Sequence, residues 1–375
     1  MAIDFSLSED EKILVEMVND FAQKEIVPNI RLIEEKGISP EIRKKASEIG
    51  LFGIEFPESL GGSGLGMFQR ALVAEAISSG DPGAAYSLFI HLPYSYFLLE
   101  LGSDEMKEKY LKPVITGMKR ACLLKAEFLP DDVITPVKWT KTDGNYKISG
   151  KGIIEVDNPD FLLIPAKSEN KAGLFLLNDL KSVEVGKSLH RCGIQSSPAI
   201  EIVLKDVEVK KEMCLTEDAL SHENLWKAVV RTRLFISSIL LGLAKAAQEY
   251  SLKYAMERVA FGQQIAKHQA ISFMLADDAT QVEGIRLILW KALYEFDKNS
   301  GTEEKGIKSS VIDWSIEAYL QAVDYSSSIS ADAVQILGGH GYIKDHPVEK
   351  WMRDVKELAN AFGRPDAFRI ALENL

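Results

Sequence analysis

The most informative part of the sequence lies near its carboxyl end and reads DAVQILGGHGY over residues 332–342 and PVEKWMRD over residues 347–354. Apolar side chains recur there at helical spacing until the glycine cluster, which breaks the pattern. An earlier run, YAMERVAFGQQI over residues 254–265, ends one helical segment, and HQAIS opens the next at His268. The pattern therefore predicts long helices that are interrupted by short glycine-containing turns.

Helical spacing of apolar residues covers most of the last third of the chain. It occurs in four segments, 217–257, 267–298, 303–335 and 347–372. Four long helices with short connections favour an antiparallel bundle. Residues 217–375 are thus predicted to form a C-terminal four-helix bundle.

The middle of the chain, residues 121–216, has a different pattern. Short runs rich in Val, Ile and Leu alternate with turn residues, and Asp143-Gly144 is typical of a two-residue hairpin turn. No long helical segment separates these runs, so they predict an antiparallel, barrel-like β-domain. Residues 1–120 read as a helical domain, with Ser8 and Glu11 forming a capping box at the first helix. The expected fold class is mainly α with a central β-domain.

The composition narrows the classes of partner. The 375 residues carry a formal net charge of −11, which opposes nucleic acid or an anionic membrane surface as the main partner. A local basic pocket remains compatible with a small anionic ligand. The amino-terminal residues show no signal-peptide pattern, no apolar run is long enough to span a bilayer, and three scattered cysteines form no disulfide framework. We therefore expect a soluble, cytoplasmic protein without a membrane span.

The sequence has no metal-ligand spacing, no phosphate-binding loop and no dinucleotide fingerprint. We therefore expect no metal site. Of the six histidines, only His268 and His340 stand within the informative runs, and either position is also common for a plain helix-end or turn residue.

These runs resemble the acyl-CoA dehydrogenase family in order and spacing, and the resemblance extends over essentially the whole chain. It implies an extended FAD that lies between two subunits of a dimer within a tetramer. The matching positions imply contacts with the pyrophosphate and adenosine of the neighbouring subunit's flavin. They are Arg258, Phe261, His268, Gln269, Gln335, Gly338 and Gly339. Arg suits phosphate through its donor fork, and glycine lets the backbone approach a ligand. Taken singly, Arg258 is also compatible with a solvated helix end and the glycines with a plain loop.

The family chemistry removes an α-proton from an acyl-CoA and transfers the β-hydrogen to the flavin as hydride, which requires a carboxylate base. This sequence departs from the family at that point. The usual base position falls on Phe362, and the position used by other members falls on Thr232, just before Arg233. Arg233 matches an Arg that family members use near the acyl-CoA, so we expect it to bind substrate. The catalytic base is unassigned.

The residues that surround the flavin ring in the family also differ in this sequence. The family's Thr-Glu-Pro loop falls on residues 125–127, and its Trp-Ile-Thr strand falls on residues 154–156, which read Ile-Glu-Val. Beyond Phe362, a Thr and a Gln of the family become Arg364 and Asp366. The positions on the adenosine side are kept, while those on the ring side are mostly lost.

Three interpretations follow from this asymmetry. In the first, the chain performs α,β-dehydrogenation of an acyl-CoA with a displaced base, for which the carboxylates are Glu357, Glu127, Asp131 and Glu155; each is also compatible with an ordinary surface carboxylate. In the second, it is a catalytically degenerate partner subunit of a heteromeric dehydrogenase. In the third, it is a non-catalytic acyl-CoA-binding protein. The resemblance implies a homo- or hetero-oligomer, dimer or tetramer, and an electron-transfer flavoprotein as the usual electron acceptor.

Overall fold

The computed structural model describes residues 6–129, 132–169, 171–300 and 306–373. Helices at both ends enclose a central sheet, so the predicted succession of helical, β and helical parts is confirmed. The domain boundaries after residues 120 and 216 stay predictions. Within the described part of the chain, no helix is long and apolar enough to cross a membrane.

Among the described residues, eight α-helices precede the sheet. They are α1 Glu9–Phe21, α2 Ile30–Lys36, α3 Pro40–Glu48, α4 Met67–Gly80, α5 Pro82–Leu88, α6 Leu92–Leu101, α7 Asp104–Met106 and α8 Lys112–Ile115. The predicted capping box is confirmed, since the Ser8 hydroxyl accepts from the Glu11 amide and the Glu11 carboxylate accepts from the Ser8 amide at 2.8 Å. Helices α4, α5 and α6 are buried along most of their length and form the inner layer of this part.

Among the described residues, the central part contains ten strands, β1 to β10, and the bundle contains a two-stranded hairpin, β11 and β12. They are β1 Ala121–Leu123, β2 Glu127–Phe128, β3 Val133–Ile134, β4 Lys138–Thr142, β5 Asn145–Ile154, β6 Phe161–Ser168, β7 Lys171–Leu177, β8 Val183–Leu189, β9 Ala199–Val209, β10 Cys214–Thr216, β11 Val259–Ala260 and β12 Gln263–Gln264. The predicted hairpin turn is confirmed: Asp143 and Gly144 join β4 to β5, both with positive φ.

The main sheet has the strand order β10-β7-β6-β4-β5-β9-β8, with β1 beside β6. Most pairings are antiparallel, as predicted, but β1 and β4 each run parallel to β6, so the sheet is mixed. Strands β8 and β10 do not pair with each other among the described residues, so the sheet stays open and does not close into a barrel. Its open arrangement leaves the end of β5 facing the helices.

The bundle contains α9 Leu225–Glu257, α10 Gln269–Ser300, α11 Ser309–Leu337, α12 Val348–Leu358 and α13 Pro365–Glu373. Helix α9 packs against α4, α6, α10 and α11 and is the central helix of the fold. It begins later than the predicted residue 217, because the Thr216 side chain bonds locally to the backbone of Asp218 and forms a turn. The predicted start of the third segment, residue 303, lies outside the described residues.

The prediction of one helix over residues 347–372 is wrong. Gly363 adopts a φ of +118° and Pro365 starts a new helix, so the segment is divided into α12 and α13. The link between these helices places Phe362 against the central part of the fold.

A buried ion cluster joins the three parts of the chain. The Lys350 ammonium lies 2.7 Å from a carboxylate oxygen of Asp81 and 2.6 Å from one of Asp354, and all three side chains are buried. Asp81 also caps α5 by accepting from the Ala84 amide, and Asp354 accepts from the Ile194 amide of the loop before β9. Burial acts to lower the pKa of Lys350, but the charges of Asp354 and Asp81 raise it above its usual value.

We expect Lys350→Ala to lower the free energy of unfolding by about 3–5 kcal/mol, because it leaves two buried carboxylates without a counter-charge. Urea unfolding followed by circular dichroism measures this loss. Lys44→Ala is the matched control: Lys44 is exposed on α3, and the change should stay within about 0.5 kcal/mol. Equal small effects of the two substitutions would contradict the role assigned to the cluster.

Candidate functional site

Phe362, at the predicted base position, lies inside an aromatic cluster. Its ring stacks on that of Phe128 with centroids 5.6 Å apart, and it meets the ring of Phe97 edge-on at 6.3 Å. The centroids of Phe97 and Phe128 are 4.7 Å apart, and all three side chains are buried. We refer to Phe97, Phe128 and Phe362 as the aromatic plug. Helix α6, strand β2 and the link between α12 and α13 each contribute one ring.

Only a small cavity remains beside the aromatic plug. Its volume is about 30 Å³, and Tyr86, Cys122, Lys125, Glu155 and Phe362 are among its lining residues. A space of this size has room for roughly two water molecules. The three fused rings of the flavin implied by the resemblance do not fit there, and neither does an acyl chain.

Glu155 directly follows the last residue of β5 and is buried rather than a surface carboxylate. One of its oxygens lies 2.7 Å from the Arg191 guanidinium, and the other accepts a hydrogen bond of 2.7 Å from the Tyr86 hydroxyl. The negative charge of Glu155 contributes to raising the pKa of Tyr86 well above its usual value, after burial, which is the main cause. A neutral tyrosine therefore donates to a charged carboxylate.

The other carboxylates named as displaced bases are also occupied. Glu357 lies 3.3 Å from the second terminal nitrogen of Arg191, and Glu127 lies 3.0 Å from the Nε atom of Arg364. Asp131 lies outside the described residues. Each described candidate therefore shares its oxygens with a guanidinium, and none is a free carboxylate beside the small cavity.

Arg233 is fully buried next to the aromatic plug. Its guanidinium donates weakly to the Phe128 carbonyl at 3.4 Å and to the Ser315 hydroxyl at 3.5 Å, and it lies 4.5 Å from the Phe368 ring. It forms no ion pair within the described residues, and burial lowers its pKa to about 10. Thr232, the alternative base position, only bonds to the Ala228 carbonyl of its own helix. The expected contact of Arg233 with substrate stays a prediction.

The adenosine-side residues lie together at the opposite end of the bundle, near the ends of α9 and α11. Arg258, Gly338 and Gly339 line one open cavity of about 340 Å³, together with Tyr254 and His340. A Cβ atom added at either glycine would meet nothing within 4 Å, so both leave open space for a ligand. Arg258 is exposed and makes no ion pair in the part of the chain that is described.

The remaining adenosine-side residues lie on the β11–β12 hairpin, around the start of α10 and on α11. Phe261 forms the tip of the β11–β12 hairpin, with a positive φ of 52° and a side chain that is 96% exposed. His268 contacts the Gln263 side chain and the Ala260 carbonyl, both at 3.2 Å, and thereby holds the hairpin. Gln269 and Gln335 are exposed at the start of α10 and near the end of α11.

Apolar side chains near this cavity are exposed to an unusual extent. They include Met256, Val259, Phe273 and Tyr342, which are 55%, 59%, 61% and 86% exposed. Exposed apolar patches are typical of surfaces that contact a protein or a ligand. The space beside the aromatic plug is therefore small, while the cavity at Arg258 is open.

Sequence reasoning missed Tyr86, Arg191, Phe97 and Phe128. Tyr86 and Glu155 are 69 residues apart, so no local pattern connects them. The one available signal was Glu155 itself, since a carboxylate within an apolar strand requires a partner. That signal predicts a cation nearby but does not identify Arg191.

Comparisons with known proteins give consistent results. The family profile described as acyl-CoA dehydrogenase, N-terminal domain, matches residues 8–118, and the profile described as acyl-CoA dehydrogenase, C-terminal domain, matches residues 225–366. The chain is 34% identical to subunit CarC of the caffeyl-CoA reductase–Etf complex of Acetobacterium woodii, over 93% of each chain. It is 32% identical to the 3-(aryl)acrylate reductase of Clostridium sporogenes, over 94% of each. The solved structure of butyryl-CoA dehydrogenase from Megasphaera elsdenii superimposes with a TM-score of 0.86 at 26% identity, over 99% of each chain.

We expect Arg233→Met to raise the free energy of unfolding by about 1 kcal/mol or more, because it removes a buried charge that no carboxylate compensates. Arg70→Met is the matched control, since Arg70 is equally buried but is paired with Glu55 at 2.7 Å. That change should lower the free energy of unfolding by about 3–5 kcal/mol. Urea unfolding of both variants measures the two values, and a loss of similar size in both would contradict the unpaired state of Arg233.

Proposed function

The chain belongs to the acyl-CoA dehydrogenase family, whose members are oxidoreductases of the CH–CH group of acyl-CoA, and we propose that it serves as the partner subunit of a heteromeric member. In this role a sister chain provides the carboxylate base and the pocket for the flavin ring. The present chain provides residues for the adenosine end of that sister chain's FAD. The acyl-CoA is then a substrate of the assembly.

The single observation that carries this proposal is the contrast between the two halves of the site. At the base position, Phe362, the aromatic plug leaves a cavity of about 30 Å³, whereas the adenosine side keeps an open cavity of about 340 Å³. A chain that had merely lost its base would still have room for the ring. The filled space therefore favours a role on another subunit's cofactor.

The residues of the open cavity suit the pyrophosphate and adenosine of FAD. Arg258 provides an unpaired donor fork for phosphate, and Gly338 and Gly339 leave backbone accessible beside it. Phe261 presents a fully exposed ring on a hairpin that His268 braces. When bound between the chains, FAD supplies the acceptor for the hydride that leaves the acyl β-carbon.

The alternatives are less well supported by the geometry. An independent dehydrogenase needs a free carboxylate, and Glu127, Glu155 and Glu357 are all paired with arginine. A non-catalytic acyl-CoA-binding protein needs a channel for the acyl chain, and the cavity beside the aromatic plug has a volume of only about 30 Å³. CarC is by its name a subunit of a complex with Etf, which supports a multi-subunit assembly and an electron-transfer flavoprotein as its electron acceptor.

The experiment compares the chain purified alone with the chain co-expressed with a second family member that has an intact base. Alone, the chain should carry less than about a tenth of an equivalent of FAD, because its ring pocket has no room. The co-purified complex should carry about one FAD per two chains, since only one ring pocket per pair is open. Flavin absorbance after gel filtration measures both. A fully flavinated homo-oligomer that acyl-CoA bleaches would overturn the proposal.

Within the complex, Arg258→Ala should weaken FAD binding about tenfold or more, because it removes a charge-assisted contact with phosphate. Arg369→Ala is the control, since Arg369 is an exposed arginine paired with Asp324 and Asp366 away from the cavity. FAD dissociation followed by fluorescence measures both variants. An unchanged affinity in Arg258→Ala would remove this residue from the cofactor contact.

A further inference from the structure

A second, larger cleft lies on the other side of Glu155. Its volume is about 680 Å³, and it separates the α2–α3 region from the sheet. Glu155 and Ile90 line both this cleft and the small cavity beside the aromatic plug, so they form the wall between them. We refer to it as the arginine cleft, after the basic residues that line it. These are Lys36, Arg43, Arg120, His190 and Arg191.

Two of these arginines form no ion pair with a described residue. Arg43 is half-buried, and its guanidinium lies 4.7 Å from the centre of the Phe52 ring without an ion pair to any described residue. The Arg120 side chain is exposed and likewise makes no ion pair in the described ranges. Burial lowers the pKa of Arg43 to about 10, and the positive charge of Arg120 adds to this effect. The two cations are thus close enough to repel each other.

The carboxylates that line the cleft do not pair with Arg43 or Arg120, although the charge of Asp160, which accepts from the Arg120 amide, acts on Arg120 from outside the lining. Glu34 is bound by Arg31 and Arg353, each at 2.7 Å, and Glu155 is bound by Arg191. The other two carboxylates, Glu35 and Asp157, are exposed and pair with neither Arg43 nor Arg120. A cleft with two unpaired arginines and an additional lysine favours a ligand with more than one negative charge.

We propose that the arginine cleft binds a small phosphate-bearing molecule of up to nucleotide size, with Arg43 and Arg120 as its phosphate ligands. The guanidinium fork matches phosphate oxygens in a bidentate manner, and a phosphate group carries enough charge to relieve the repulsion between two arginines. The volume lies within the range of small-molecule sites. None of its lining residues lines the adenosine-side cavity, so this proposal is independent of the proposed function.

Calorimetric titration of the purified chain with inorganic pyrophosphate, ADP and adenosine tests the proposal. Pyrophosphate and ADP should bind, and adenosine, which lacks phosphate, should bind at least tenfold more weakly than ADP. Arg120→Gln, at an exposed position, and Arg43→Gln should each weaken phosphate binding about tenfold or more. Lys44→Gln, one residue from Arg43 but exposed on α3, should leave it unchanged.

The variant Arg258→Ala distinguishes binding at the two cavities. If ADP binds at the adenosine side, its affinity falls in Arg258→Ala and stays unchanged in Arg43→Gln and Arg120→Gln. If ADP binds more tightly than pyrophosphate, the ligand of the cleft is a nucleotide. If the two bind equally, the cleft recognises the phosphate group alone. Loss of affinity in Arg258→Ala with full affinity in Arg43→Gln and Arg120→Gln overturns the proposal. So does the absence of pyrophosphate binding at millimolar concentration.

Discussion

Lys350 is a buried cation whose ammonium group lies between the carboxylates of Asp81 and Asp354, and the relative placement of the three parts of the chain depends on it. A lysine without these partners would be too costly to bury, so the first helical part, the loop before β9 and α12 must meet at one point. The close approach requires glycine. A Cβ atom at Gly83 would lie 2.8 Å from the Lys350 nitrogen, and one at Gly193 would overlap the Arg353 carbonyl oxygen.

The same junction determines the state of the ring side. By holding the loop before β9 against α12, it brings Arg191 between Glu155 and Glu357. These ion pairs and the Tyr86 hydroxyl stabilise a buried carboxylate that directly follows β5. The packing that positions the site therefore also fills it, with the aromatic plug on one side and the Glu155 network on the other. The chain thus combines the frame of its family with a tightly packed interior beside Phe362.

Charge is distributed unevenly over the molecule. Although the chain carries a formal net charge of −11, unpaired arginines line two separate cavities, with Arg258 in one and Arg43 and Arg120 in the other. Long-range repulsion of anions is screened within about 10 Å at moderate salt, so local cations decide what binds. The net charge of the chain therefore indicates whether large polyanions such as nucleic acid can bind, but it does not indicate whether a small anion can bind in a local cavity.

The sequence by itself determined what depends on local patterns. Helical periodicity, the capping box of Ser8 and Glu11 and the turn at Asp143-Gly144 each involve neighbours within a few residues, and the corresponding elements formed as predicted. The late start of α9 and the break between α12 and α13 were missed, because a local side-chain bond and a positive φ interrupt a continuing apolar pattern. The sequence also indicated that Phe362 replaces a base and that Glu155 replaces an apolar residue.

Only the tertiary structure decided that Phe97 and Phe128 close around Phe362, and that Arg43 and Arg120 lie at one cleft. Such contacts join residues that are far apart in the chain, and periodicity contains no information about which distant side chains meet.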